Sequence, residues 1–185
     1  MDSLPIELLH VIASFDQGAY RALLAIPFFA RSLNPSNRTD YMIDFGYSVM
    51  ITEDFIDWLR NGKLHREDGP AVEFSSGTKS WYRNGERHRD NGPAIEWADG
   101  SKWWYRNGER HRDNGPAIEC SNGTKQWYRN GKCHREGGPA VESSNGDKFW
   151  YRDDNLHRED GPAIEGSGGT KQWYLNGIIQ YSKCQ

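Results

Sequence analysis

Apolar and polar positions in residues 58–172 recur as a 23-residue block without insertion, as in WYRNGERHRDNGPAIEWADGSKW from Trp81 and WYRNGERHRDNGPAIECSNGTKQ from Trp104. A period of this length is the mark of a repeat array, in which each unit buries its apolar positions against its neighbours. Two turn signals punctuate each block. Asn84-Gly85, Asn107-Gly108 and Asn130-Gly131 mark one end, and Asp99-Gly100, Asn122-Gly123 and Asn145-Gly146 the other. Such pairs tolerate the positive φ of tight hairpin turns. The segments between them, such as Ala94 to Trp97 and Lys102 to Arg106, are rich in β-branched and aromatic residues and predict two short strands per unit in an antiparallel meander. Frequent Gly and Pro exclude helix there.

Successive strand residues face opposite ways, so the Trp column (Trp58, Trp81, Trp104, Trp127, Trp150, Trp173) and the Tyr column occupy opposite faces. Both are expected to stack into aromatic ladders. Tyr82, Tyr105, Tyr128, Tyr151 and Tyr174 form the expected partner-binding surface. Five full units fill 58–172. Residues 173–185 hold a partial sixth, where Gln180 takes the histidine position and Ile178, Ile179 and Tyr181 make an apolar edge suited to capping or to a homodimer.

Residues 1–57 follow another pattern. Ser3 is placed as a cap and Pro5 in a first helical turn, with Leu8, Val11, Ile12 and Phe15 at helical spacing; Tyr20, Leu23, Leu24 and Phe28 make a second such face. The fold class is therefore mainly β: an elongated antiparallel β-hairpin array with a small α-helical N-terminal head. Tyr41 to Ile56 read as a strand and short turn leading into the repeats.

Composition supports a folded but thin-cored protein. Of 185 residues 36% are hydrophobic, yet 13% are aromatic, including eight Trp, and disordered chains lack aromatics. Residues 1–57 carry a charge of −5 and the remainder +2, which separates two modules. The total of −3 argues against nucleic acid as a partner and against a polybasic membrane anchor, leaving lipid contact a lesser alternative. Cys120, Cys133 and Cys184 are an odd number without metal-ligand spacing, as expected of thiols in a reducing, intracellular compartment.

The string W-Y-x-N-G-x-x-H-R-x-x-G-P-A and the 23-residue period resemble variant MORN repeats of marseillevirus-type and pithovirus-type giant DNA viruses. That resemblance implies a hairpin array used for protein association, and a place in the host cytoplasm or the virion. Leu4, Pro5, Glu7 and Leu8, followed by Ile12, resemble the start of an F-box. This second resemblance implies docking of those five residues onto the adaptor of a cullin ubiquitin ligase.

Neither catalysis nor metal binding is expected, and no cofactor is implied. His65, His88, His111, His134 and His157 are copies about 10 Å apart, too far to share one zinc. Glu, His and Arg recur as columns, whereas an active site needs one asymmetric constellation. The histidines and arginines are expected to satisfy loop carbonyls and stack on aromatics. The Glu column (Glu73, Glu96, Glu119, Glu142, Glu165) is expected to pair across strands with the Lys column from Lys79 and the Arg column from Arg83. The leading function is a non-enzymatic interaction or scaffold protein. A ubiquitin-ligase substrate receptor and a virion-associated assembly protein are the alternatives.

Overall fold

The computed structural model describes residues 39–43 and 47–180, and all regular structure among them is strand. The expected helical head lies outside the described residues. Three strands open the array: β1 (Thr39–Ile43), β2 (Tyr47–Ile51) and β3 (Phe55–Arg60), paired antiparallel in that order. They extend the 15-stranded sheet that runs the length of the repeats.

Each unit adds two strands to this sheet. Ile95–Glu96 pairs with Lys102–Trp103, which pairs in turn with Ile118–Glu119 of the next unit. Cross-strand partners share a face. Ile95, Trp103 and Ile118 therefore lie on one side, with Glu96, Lys102 and Glu119 on the other. The isoleucines are buried and Lys102 is exposed, so the sheet has one apolar and one charged face.

The expected strand Lys102–Arg106 is broken in two at Trp104. Lys102–Trp103 stays in the sheet, while Tyr105–Arg106 leaves it to form a separate hairpin with Glu109–Arg110. The corner is held by two backbone bonds: Trp104 N–H donates to Ala117 O at 2.8 Å, and Trp104 O accepts from His111 N–H at 3.2 Å. Each interior unit thus makes two hairpins. The small hairpins are joined in series by one backbone bond each, as where Gly108 N–H donates to Arg87 O and Gly131 N–H to Arg110 O. Asn107 and Asn130 adopt φ of 50° and 49°, the left-handed geometry that their turn signal predicts.

The core is a chain of small clusters. Val49, Ile51, Trp58 and Ala71 form one, with Ile56, Leu64 and Tyr82 against it. Ala94, Ile95 and Tyr105 form the next, with Trp103 beside them. The alanines of every Gly-Pro-Ala, Ala71, Ala94, Ala117, Ala140 and Ala163, are 0% exposed. Their carbonyls receive the corner Trp N–H groups, so no larger side chain fits without moving the corner. Among the described residues no helix is long and apolar enough to cross a membrane.

Candidate functional site

The residues singled out by the repeat converge on the His-Arg loop that follows each small hairpin. Arg112 sits at its centre. Its guanidinium lies 3.8 Å from the centre of the Trp104 ring, and Nη1 donates to Pro116 O at 3.0 Å and to Glu119 Oε1 at 2.6 Å. The other face rests on Gly115, where an added Cβ would come within 3.1 Å of Arg112 Cζ. Gly115 also has a φ of 134°, so space and backbone both require glycine. The same sandwich recurs at Arg89, Arg135 and Arg158, between Trp81 and Gly92, Trp127 and Gly138, and Trp150 and Gly161, and Arg66 stacks likewise on Trp58.

This arrangement bears out the expected carbonyl bonding and stacking of arginine and corrects the expected charge pairing. The Lys column has the right register, since Lys102 stands opposite both Glu96 and Glu119. The glutamates nonetheless bond to the loop arginines, because only a guanidinium can stack on indole and donate in its own plane at once. The Arg83 column turns to the loop acids instead: Arg83 to Asp90, Arg106 to Asp113, Arg129 to Glu136 and Arg152 to Glu159.

Histidine links successive units. His111 Nδ1 receives the Asn130 backbone N–H at 3.1 Å and lies 2.8 Å from Asn130 Oδ1, while Nε2 lies 2.8 Å from Asp113 Oδ1. His88 meets Asn107 and His157 meets Asn176 in the same way. Their partner is a turn residue of the following unit, not the loop carbonyl expected from sequence. At His134 the turn residue is Asp153, 3.0 Å away. There Asp153-Asp154 replaces Asn-Gly, and both residues adopt positive φ.

Hydrogen bonds from His88 and then Arg83 hold the Asp90 carboxyl below its ordinary 3.8. His111 and Arg106 do the same to Asp113, and His157 and Arg152 to Glu159. Cys133 is buried, and that burial, with Asp154 adding to it, pushes its thiol up to about 12. A nucleophilic role at neutral pH does not fit such a thiol.

Between consecutive loops the surface opens into clefts of like composition. One of about 710 Å³ lies between the loops of His65 and His88, one of about 450 Å³ between those of His88 and His111, and one of about 550 Å³ between those of His111 and His134. Each is lined by a loop Arg, a corner Trp, the Arg of the small hairpin and a loop acid. Sequence reasoning missed these clefts because they lie between units. The signal available was the pairing of Arg83 with Asp90 seven positions on, repeated at each unit.

The Tyr column is packed more closely than expected. Tyr105 is buried with Ala94 and Ile95, and Tyr82, Tyr128, Tyr151 and Tyr174 are half-buried. The expected Trp and Tyr ladders are interrupted by cations, because each guanidinium occupies the space that a neighbouring ring would need. Arg87 lies over Tyr82 and Tyr105, and Arg110 over Tyr128. At the C-terminal edge Ile178 is 68% exposed and Ile179 is also exposed. Tyr181, like Leu4, Pro5, Glu7, Leu8 and Ile12, lies outside the described residues. No family model matches this chain, and no curated protein matches it.

Proposed function

We propose that this chain is a non-enzymatic interaction protein that holds an extended polypeptide along the row of His-Arg loops, in the manner of a MORN-like scaffold. The observation that carries this reading is the recurrence of one cleft at consecutive unit junctions. A row at the repeat pitch of about 10 Å suits a partner with its own linear periodicity, such as an extended chain rising about 3.3 Å per residue. The clefts mix indole edges with Arg and Asp or Glu, so they suit a polar segment carrying both charges. Affinity distributed over such a surface is built from several modest contacts.

Affinity capture with the full chain tests it. Arg83→Gln, Arg106→Gln and Arg129→Gln together should remove at least nine-tenths of the captured protein, while each alone removes a minor share. Capture indifferent to the triple substitution, or abolished by one substitution, would contradict a distributed site.

The exposed Ile178, Ile179, Leu175 and Trp173 favour a second contact, with another copy of this chain along the strand Ile178–Gln180. Ile178→Lys should then shift the light-scattering mass from dimer to monomer. A native chain that is monomeric at the highest soluble concentration rules the contact out.

A further inference from the structure

We propose that the apolar face of residues 4–28 packs onto an aromatic rim formed by Phe55, Phe74, Trp97 and Trp103 at the start of the array. Phe55 and Phe74 meet edge to face at 6.2 Å, and Trp97 and Trp103 at 5.3 Å. Phe74 is 42% exposed and Trp97 39%, which makes them conspicuous on a thin sheet. Strand register puts the four rings on one face: Phe55 opposes Phe74, Asp57 opposes Val72, and the row from Val72 runs through Ser80 and Ile95 to Trp103. Two buried polar atoms of that row, Asp57 Oδ1 and Trp103 Nε1, have no hydrogen-bond partner among the described residues.

The gradient of the rim identifies its occupant. Equivalent positions in successive units are Phe74, Trp97, Cys120, Ser143 and Gly166, so the two large rings stand at the N-terminal end and only small side chains follow. A partner lying along the whole array would meet a uniform column instead. The chain itself enters at the right place. Thr39 stands in register with Ile51, then Ile56, then Glu73, one row inside the rim, so the N-terminal end of β1 points toward the rim. From β1 to the strand of Phe74 is three strand spacings, about 14 Å, and to that of Trp97 five, about 24 Å. Residues 30–38 reach up to about 30 Å when extended. If residues 4–15 are helical as their spacing predicts, they measure about 18 Å. That length covers the rim, and Leu8, Val11, Ile12 and Phe15 make the apolar side. Burying that side on the rim removes both apolar surfaces from water.

Placing the photo-crosslinking residue benzoylphenylalanine at position 97 of the full chain tests the contact. Intramolecular adducts with residues 4–28, at a yield independent of dilution, are expected. Adducts only between chains, or none within residues 1–38, would overturn the proposal. Hydrogen exchange supplies the second readout. Phe74→Ser with Trp97→Ser, the side chain that Ser143 already places in this column, should speed exchange in residues 4–28 at least tenfold while the turn amides of Asn107 and Asn130 stay protected. Unchanged exchange in residues 4–28 would also overturn it.

Discussion

His111 and Asn130 join two consecutive units through one turn: the imidazole Nδ1 lies 2.8 Å from Asn130 Oδ1 and receives its backbone N–H. Asn130 thereby serves three needs, as a residue stable at φ 49°, as the first half of a hairpin turn, and as the partner of the preceding loop. Such a link turns a row of small hairpins into a cooperative array.

Replacing Asn130 with Ala removes the side-chain bond and puts a poor residue in the left-handed region. A loss of about 1–3 kcal/mol is expected from these two effects. Urea unfolding of the full chain measures it. A midpoint unchanged by Asn130→Ala would show that the His111 contact adds nothing to the coupling of units.

Arg112 should tolerate no substitution well. Arg112→Ala forfeits the stack on Trp104 and leaves Pro116 O and Glu119 short of a donor, at a cost of about 2–3 kcal/mol for a partly exposed group. Arg112→Lys should recover less than half of that, since an ammonium cannot stack and donate in the same plane. Equal stability of the Lys variant and the native chain would reduce the guanidinium to a point charge.

Ala117 is enclosed beneath the Trp104 corner. Ala117→Leu is expected to destabilise by about 1–3 kcal/mol through overpacking. Ala117→Gly should cost only about 0.5–1 kcal/mol through backbone entropy. Thermal melts that rank the two the other way would show that the corner has room to spare.

Acid should loosen the loops. Asp90, Asp113 and Glu159 have carboxyls lowered in the folded state by bonds to His and Arg. Their contribution is present above the ordinary carboxylate range and is lost as pH falls through the lowered folded values, so stability declines from about pH 4 downward. Asp90→Asn with Asp113→Asn should flatten that decline in a urea-midpoint series against pH. A series equally steep in the double variant would place the acid sensitivity elsewhere.

The sequence by itself determined the repeat, its period, the turns at Asn107-Gly108 and Asn122-Gly123, and the all-strand character of the array. These depend on local φ preferences and on side-chain periodicity, which a chain carries in its order of residues. Tertiary structure decided where the polar side chains end. Lys102 and Arg112 are both cations near Glu119, and only the stacking plate of Trp104 and the open face of Gly115 give the carboxylate to Arg112. The break of Lys102–Arg106 at Trp104 was equally hidden, because the Ala117 carbonyl that turns the corner lies 13 residues away in the chain and 2.8 Å away in space. The clefts exist only between neighbouring loops, and no single unit encodes them.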